Sequence, residues 1–534
     1  MTEHFTLAPI DIVITVAYVV GILVHGIRVA RRRESADDYF LAGRTLPWYL
    51  IGLSLYASNM SGSSFVGLMG ASYSDGLVVF NYEWTAAFVL VFFAVFMLPR
   101  FLRARLWTLP EFLESRFDRR SRMAFSAFTL LAIVFIDTAG ALYAGGIVVT
   151  TVFDIPLWEA VAALAAVAGV YTILGGLSAV VVTDAVQAVL LMIGAAAIFG
   201  FGLREVGGWG EMLRGLEAVG PERVSLVHPA GDPFLPWYGI FGVILLGFYY
   251  WTLNQFVVQR TLGSRDLDQG RKGAVFAGLL KMPNLFLMIL PGAFAVLLFP
   301  AVENPDTVFP RLAFELLPAG FRGLVLTGVV AAIMSSLDSA LNAAATLVTI
   351  DFVRTARPDA SDDRLVLLGR VVTAVVMVVA AVYSPLIAGF RNLFGYFQSS
   401  LSYVTPPVVA VYLLGIFWPR ANRHGAFWTL VGALAVGVPL FVTKEITGVW
   451  AAAGLPDVHY LVAGSFMFLG GCAVCAGVSL ATGAPSPERA AHAFDAAGLR
   501  RALARGTAGP WWRDYRWQSA GLALLVVACF VAFW

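Results

Sequence analysis

Polar side chains interrupt an apolar stretch in the second half of the chain. Residues 322–349 are long enough to cross a bilayer, and they include Ser335, Ser336, Asp338 and Ser339. A polar side chain at membrane depth costs a few kcal/mol unless it faces a partner or a water-filled path. Hydroxyl and carboxylate oxygens are hard donors, so these residue types indicate a site for a cation.

A second apolar stretch carries small and polar residues at its centre. Residues 53–67 read LSLYASNMSGSSFVG. Serine, asparagine and glycine compete with the helical hydrogen-bond ladder, so this run can unwind. Broken helices near the membrane midplane expose carbonyls to ions and solutes in secondary transporters. The alternative is a small-residue seam for close helix packing, although Asn59 is more polar than packing requires.

The two stretches together offer the ligands that sodium prefers. Ser335 and Ser336 provide hydroxyls, and the carbonyls of Ala57, Met60 and Ala332 could join them if the two stretches meet. A few neutral oxygens bind sodium without the deep energy well of several carboxylates. Weak, reversible binding of this kind suits a carrier, and Na⁺ is the ion that we expect.

Composition determines what must position these residues. Of 534 residues, 59% are hydrophobic and 13% charged, and the mean hydropathy is +0.79. We therefore expect a polytopic all-helical membrane protein, a single transmembrane domain over residues 1–534, because helices satisfy their own backbone groups in lipid. With roughly 20 residues per span, about fourteen spans are predicted: 7–30, 47–73, 78–99, 123–150, 157–174, 179–203, 236–258, 273–300, 322–349, 366–389, 393–418, 424–446, 458–481 and 517–534.

Basic residues predict the orientation. The net charge is only +2, but arginines gather in alternate loops, which we expect to face the cytoplasm. We therefore expect a multi-pass protein of the cell inner (plasma) membrane with both termini on the outer side. The first span is expected to be a retained helix and not a cleaved signal peptide. The basic groups are Arg28, Arg31, Arg32, Arg33 and Arg44; Arg100, Arg103, Arg105, Arg116, Arg119, Arg120 and Arg122; Arg260, Arg265, Arg271 and Lys272; Arg354, Arg357, Arg364 and Arg370; Arg420 and Arg423; and Arg489, Arg500, Arg501, Arg505, Arg513 and Arg516.

Several functional classes are disfavoured. We find no Walker-type or dinucleotide-binding loop, so transport energy is expected to come from an ion gradient. No nucleophile, base and orienting residue can be assembled from loop motifs, so the chain is not expected to be an enzyme. Cys472 and Cys475 share one face of an apolar helix and are interpreted as packing residues. The expected partners are a small solute, sodium and the lipid bilayer, without nucleic acid.

The order of several motifs resembles the sodium/solute symporter family, and within it the sodium/glucose and sodium/galactose cotransporters. The motifs are DYFLAGR at 38–44, YEW at 82–84, GGLSA at 175–179, YW at 250–251 and SSL at 335–337. The resemblance implies a LeuT-like fold with a core of two inverted five-helix repeats. It also implies a sodium-coupled symporter that works by alternating access. The repeats would be 47–203 and 236–418, with peripheral helices in 1–46 and 419–534.

The resemblance also implies cation ligands. In the family, sodium is held by carbonyls of the first core helix and hydroxyls of the eighth, which here match Ala57, Met60, Ala332, Ser335 and Ser336. Some relatives hold a second cation, for which Asp184, Asp338 and Ser339 are the matching candidates. The alternative for Asp338 is an ion pair with a cytoplasmic arginine.

For the solute, the resemblance implies a set of polar groups. Asn59, Glu83, Trp251, Lys281 and Gln398 match sugar-binding positions, and Ser64 stands where the family has a larger polar side chain. Tyr250 is the expected inner gate, and Leu68, Tyr82 and Phe394 are the expected outer covers. Two further departures, Gly247 and Ala86, predict a roomier pocket.

Glu83 and Lys281 allow two interpretations, which are compatible. A carboxylate accepts and an ammonium donates hydrogen bonds to sugar hydroxyls, or the two residues simply neutralise each other. We expect a small neutral solute, a monosaccharide above all, because a carboxylate in the pocket disfavours an anion. The alternatives are a symporter for a carboxylate such as sialic acid or an amino acid, and a membrane nutrient sensor, which would bind but not concentrate its ligand.

Overall fold

The computed structural model describes residues 8–30, 44–106, 108–174, 180–357, 359–494 and 510–533. Apart from two isolated bridges, the described residues are helical wherever they are regular. The helices of the first half are α1 Pro9–Ala30, α2 Trp48–Asn59, α3 Gly62–Asp75, α4 Asn81–Phe92, α5 Leu98–Arg103, α6 Leu109–Arg116, α7 Arg119–Ala132, α8 Ala139–Phe153, α9 Leu157–Leu174, α10 Val180–Glu205, α11 Trp209–Val219, α12 Ile240–Leu253 and α13 Gln255–Leu262.

The second half continues in the same way. Its helices are α14 Leu267–Lys281, α15 Leu290–Leu298, α16 Val308–Arg311, α17 Phe321–Thr346, α18 Asp362–Tyr383, α19 Leu393–Phe417, α20 Arg423–Phe441, α21 Val449–Ala452, α22 Tyr460–Ala481, α23 Pro487–Ala490 and α24 Tyr515–Ala532. The π-helical segments Phe93–Met97, Ile133–Thr138, Leu285–Ile289, Leu312–Leu316, Leu347–Arg354 and Val442–Ile446 adjoin these helices, and 3₁₀ turns cover Gly76–Phe80, Pro221–Val224, Trp237–Gly239, Pro305–Thr307, Ser384–Gly389 and Trp511–Arg513.

Within the described residues, nine helical runs are long and apolar enough to cross a membrane, or up to eleven if two bent pairs each form one span. The bent pairs are Val189–Glu205 with Trp209–Val219, at 79°, and Trp237–Leu253 with Gln255–Leu262, at 50°. Two shorter apolar helices, Pro9–Tyr18 and Leu157–Gly169, do not reach this length. The all-helical membrane fold is therefore confirmed, and the total of about fourteen spans stays a prediction.

The run predicted to unwind is broken between α2 and α3. Met60 leaves the helical conformation with ψ of 65°, and Ser61 is extended. The side chain of Ser61 accepts a hydrogen bond from the Ser64 backbone N–H at 3.4 Å, which caps α3. The hydroxyl of Ser64 in turn donates to the carbonyl of Asn59. Local side-chain bonds thus replace the helical ladder at this point.

Several basic residues converge at one end of the bundle. Arg116, buried from solvent, donates to the carbonyls of Gly415 at 2.8 Å and Trp418 at 3.1 Å. Arg100 donates to the carbonyl of His492, and Arg122 forms an ion pair with Asp351 at 2.5 Å. Loops that the charge pattern assigns to one side of the membrane therefore meet at one end of the structure.

The described parts of both chain ends lie at the opposite end. The carboxylate of Asp11, near the start of α1, accepts backbone N–H bonds from Gly320 at 2.7 Å and Gly323 at 2.8 Å, at the start of α17. The carbonyl of Phe533 accepts a bond from the Leu226 N–H at 2.8 Å. Asp11 therefore caps a helix that begins far from it in sequence, and a negative charge at a helix N-terminus is stabilising.

Candidate functional site

A cavity of about 170 Å³ lies at the break between α2 and α3. Its walls come from α2, α3, α4, α7, α8, α12, α13, α14, α17, α19 and the π-helical segment Ile133–Thr138. The structure brings ten of the residues predicted for the solute and the gates to this one cavity: Asn59, Ser64, Leu68, Tyr82, Glu83, Tyr250, Trp251, Lys281, Phe394 and Gln398. Their roles stay predictions, but their convergence is a property of the fold.

An ion pair forms one wall of the cavity. The ammonium of Lys281 lies 2.5 Å from Glu83 Oε2, and both side chains are almost completely buried, with 1% and 7% exposed. Lys281 also donates to the side-chain carbonyl of Asn59, and its ammonium lies 5.6 Å from the ring centroid of Trp251. Each charge is thus paired and hydrogen-bonded, which a buried ion pair requires.

Sequence reasoning missed two members of this network. The side-chain amide of Asn284 donates to Glu83 Oε2 at 2.5 Å, and its carbonyl accepts the hydroxyl of Tyr56 at 2.7 Å. Asn284 follows Lys281 by three residues, so the two lie on the same side of one helical turn. A polar residue one turn after a lysine in an apolar stretch was the available signal.

Aromatic side chains cover one end of the cavity. The rings of Tyr82 and Phe394 meet edge to face with centroids 4.9 Å apart, and Phe234 packs against both. The hydroxyls of Tyr82 and Tyr460 lie 3.1 Å apart. We call Tyr82, Phe234, Phe394 and Tyr460 the aromatic lid. Phe234 and Tyr460 were not predicted, because one lies in a loop and the other in a peripheral helix.

A buried carboxylate fixes the start of α19, which carries Phe394. Asp306 accepts the backbone N–H of Leu393 at 2.9 Å and the hydroxyl of Tyr143 at 3.1 Å. Burial raises the pKa of Asp306 to about 7, although both hydrogen bonds favour its charged form. Asp306 therefore anchors the helix that contributes Phe394 and Gln398 to the cavity.

Tyr250, the expected inner gate, lies beside the solute positions. Its ring meets that of Trp251 edge to face at 5.4 Å and that of Phe256 at 6.2 Å. Phe256 is the second residue of α13, the second half of the bent pair α12 and α13. Tyr250 thus lies in the cavity wall near the bend between α12 and α13.

The predicted sodium ligands lie on α2, on the break that follows it and on α17, and α3, which begins after the break, is in direct contact with α17. A β-carbon added to Gly62 would lie 2.5 Å from Ile333 Cγ1, so the start of α3 packs tightly on α17. Ser335 and Ser336, within one turn of Ile333, line the same cavity as Ser58, Asn59 and Ser61. The Met60 N–H bonds to the carbonyl of Tyr56, so the helical ladder of α2 stops one residue before the carbonyl of Ala57.

The hydroxyl of Ser336 has a defined orientation. It donates to the carbonyl of Ala332 at 2.8 Å, so two of the predicted ligands are already adjacent. This hydrogen bond directs the lone pairs of the hydroxyl away from its own helix. Ala57, Met60 and Ala332 do not line the cavity, although residues next to Ala57 and Met60 in sequence do. Met60 and Ala332 are buried, at 1% and 4% exposure.

The second predicted cation site is only partly described. Ser339 lines the cavity, whereas Asp338 is buried with 1% exposed and does not. The side chain of Asp184 lies outside the described residues. Asp137 does line the cavity. The structure therefore brings Ser339 but not Asp338 to the solute positions.

A broken helix beside a central cavity, in a bundle of membrane-crossing helices, defines a secondary membrane carrier. The model of the sodium:solute symporter family matches residues 39–432. Since that match covers more than half of the sequence, the chain belongs to this family. The protein is a multi-pass membrane transporter, not an enzyme, and it carries out sodium-coupled symport.

Curated relatives agree with this assignment. The chain is 34% identical to the sodium/glucose cotransporter of Vibrio parahaemolyticus over 462 residues, covering 81% of this chain and 85% of the relative. It is 33% identical to sodium/glucose cotransporter 4 of Danio rerio over 529 residues, covering 91% and 80%. It is 34% identical to sodium/myo-inositol cotransporter 2 of Homo sapiens over 535 residues, covering 91% and 78%.

Solved structures show the same fold. A Na⁺-coupled sialic acid symporter, in a substrate-bound outward-open state, matches with a TM-score of 0.76 at 20% identity, covering 89% of this chain and 99% of that one. A nucleobase-cation-symport-1 family transporter matches with a TM-score of 0.52 at 13% identity, covering 88% and 99%. At these identities the likeness concerns the fold, which is LeuT-like as predicted.

Proposed function

We propose that the protein imports a small neutral polyhydroxylated solute, a monosaccharide or a cyclic polyol, together with sodium. The observation that carries this proposal is the Lys281–Glu83 pair at 2.5 Å, held within a cavity that Trp251 also lines. Alternating donors and acceptors match the hydroxyls of such a solute, and an aromatic ring matches its apolar face. The relatives named for glucose and myo-inositol are of this solute class.

The charges in the cavity argue against an anionic solute. Lys281 is already paired with Glu83. Arg260, which also lines the cavity, donates to the hydroxyl of Ser54 at 2.9 Å and to the carbonyl of Phe256. A carboxylate solute would have to displace these partners and approach Glu83. The volume of about 170 Å³ also suits a small solute, since pockets for drug-sized ligands exceed roughly 300 Å³.

For sodium we propose the carbonyls of Ala57, Met60 and Ala332 with the hydroxyls of Ser335 and Ser336. The tight contact between Gly62 and Ile333 supports this set, because it holds the broken helix against α17. Asp184, Asp338 and Ser339 remain the proposed residues for a second cation. Each sodium charge that moves inward gains about 2.3 kcal/mol per 100 mV, which supports a solute concentration ratio of roughly fifty.

We also propose that the arginine-rich end faces the cytoplasm and that both termini lie outside, in the plasma membrane. Arg100 contacts His492, Arg116 contacts the last turn of α19, and Arg122 pairs with Asp351, and this meeting of basic residues at one end supports the orientation. The aromatic lid then closes the outer end of the cavity.

Uptake into proteoliposomes tests the proposal. A sodium jump would be applied across a panel of hexoses, myo-inositol, sialic acid and a neutral amino acid, with and without an imposed inside-negative potential. We expect accumulation of one or more neutral polyols, increased by the potential. Sodium-driven accumulation of sialic acid or the amino acid alone would overturn the proposed solute class.

A further inference from the structure

An ion pair joins two elements at the lid end of the cavity. Arg391 Nη2 lies 2.8 Å from Asp75 Oδ1. Asp75 is the last residue of α3, the helix that begins at the break. Arg391 comes two residues before α19 and three before Phe394 of the aromatic lid. The pair thus connects the far end of the broken helix to the approach of the helix that carries the lid.

The two partners differ in their environment. The side chain of Asp75 is 7% exposed, whereas that of Arg391 is 51% exposed. The second oxygen, Asp75 Oδ2, is buried and has no hydrogen-bond partner among the described residues. A half-exposed ion pair adds little to the stability of the folded state. Removing the arginine would nevertheless leave a buried carboxylate without its counter-charge, which is strongly destabilising. Asp75 therefore tolerates burial mainly because Arg391 is beside it.

Other contacts hold the same region without this pair. Asp306 anchors Leu393 at 2.9 Å, and the side chain of Asn392 caps Gly395 at 2.7 Å. The start of α19 therefore remains anchored when Arg391 is altered. The helices α3 and α19 also pack directly where Gly67 meets Phe394. What the pair adds is an ionic contact between the far end of α3 and the approach to α19.

We propose that the Asp75–Arg391 ion pair is a latch that holds the aromatic lid closed, and that it separates each time the outer end of the carrier opens. In the closed state it offsets the burial of Asp75. In the open state both charges are hydrated. Because the arginine is half exposed and one carboxylate oxygen is unsatisfied, the latch biases the two states only weakly, which permits rapid reopening.

The latch can be tested by the accessibility of a cysteine placed under the lid. Gly247 lines the cavity, and a β-carbon there would find its nearest neighbour, Val89 Cγ2, at 3.8 Å. In Gly247→Cys, the rate of labelling by a membrane-impermeant charged thiol reagent would be measured on intact cells in sodium-free buffer. The chain without this substitution gives the background from Cys472, Cys475 and Cys529.

We expect Asp75→Asn to raise the labelling rate about threefold and Arg391→Gln about tenfold, because the latter leaves a buried carboxylate without its partner. In the double variant the rate should fall back to that of Asp75→Asn, since no bare charge remains. The matched control is Arg214→Gln, which removes an exposed ion pair with Glu211 at 2.5 Å and should leave the rate unchanged.

Equal rates in all variants, or additive effects in the double variant, would overturn the latch. If Arg391→Gln does not reach the membrane, Arg391→Lys replaces it. It keeps the charge, so its rate should stay within about twofold of the parent while Asp75→Asn still exceeds that range; a rate equal to that of Asp75→Asn would contradict the proposal. The assay needs neither transport nor a known solute, so its outcome is separate from that of the uptake panel.

Discussion

Lys281 and Glu83 come from different helices and meet at 2.5 Å inside the membrane-crossing bundle. Neither partner is exposed to bulk solvent, and Asn59 and Asn284 satisfy further hydrogen bonds of the pair. Removing one partner would leave the other as an uncompensated buried charge. The pair therefore links the stability of the cavity to its capacity to bind a solute.

Lys281→Ala should abolish sodium-driven sugar uptake, because it removes the donor and leaves Glu83 unpaired. The protein should still reach the membrane, as measured by surface labelling and size-exclusion chromatography. The matched control is Lys272→Ala on the same helix, whose ammonium lies 2.5 Å from Asp268, outside the cavity. It should retain uptake. Normal uptake by Lys281→Ala would rule out the proposed pocket.

Ser336→Ala should raise the sodium concentration for half-maximal uptake by about tenfold, the effect of losing one good oxygen ligand. Its maximal rate at saturating sodium should change much less. Ser465→Ala is a suitable control, because Ser465 makes the same kind of bond, to the Leu461 carbonyl at 2.9 Å, on a peripheral helix. An unchanged sodium dependence would remove Ser336 from the set of ligands.

Gly62→Ala should also raise the sodium concentration for half-maximal uptake. The new methyl group would lie 2.5 Å from Ile333 Cγ1 and force α3 away from α17. Adding Ile333→Ala should restore much of the loss by making room. Gly432→Ala, where nothing lies within 4 Å of the added carbon, is the control. If the double variant is no better than Gly62→Ala alone, the contact between the two helices does not determine the sodium site.

Asp306 predicts a pH dependence of stability. Its pKa in the folded protein is about 7, against about 4 in an unfolded chain. Between these values the folded state holds a proton that the unfolded state has lost, so the contribution of Asp306 to stability falls as pH rises from about 4 to about 7. Asp306→Asn should remove this part of the pH dependence of the unfolding temperature, measured on the detergent-solubilised protein. The stability of the parent relative to the variant should fall over this pH range, and a constant or rising difference would contradict the prediction.

The sequence predicted the broken helix well, because the cause is local. Ser58, Asn59, Ser61 and Gly62 compete with helical hydrogen bonds wherever they occur together, and the break falls at Met60 and Ser61. The membrane-crossing helices were also predictable, because the length and hydropathy of a segment suffice to identify it as a span. Glu83 and Lys281 were found through the family resemblance, and their distance of 2.5 Å required the structure.

The long-range contacts could not be predicted from one sequence. Asp75 ends α3 and Arg391 lies in the turn before α19, and no local pattern pairs them. Phe234 and Tyr460 look like ordinary loop and peripheral residues until α4, α19 and α22 are brought together around them. Such contacts depend on tertiary packing, which the periodicity of a single segment does not encode.

The neutralised pair in the cavity wall also bears on the half of the cycle in which nothing is carried. Lys281 and Glu83 neutralise each other, and Asn284 bonds to Glu83. The empty carrier can therefore return to its outward-facing state without moving an isolated charge of either residue. Any voltage sensitivity of this return step then comes from groups other than this pair. In the empty carrier these two residues therefore add no net charge to the cavity wall.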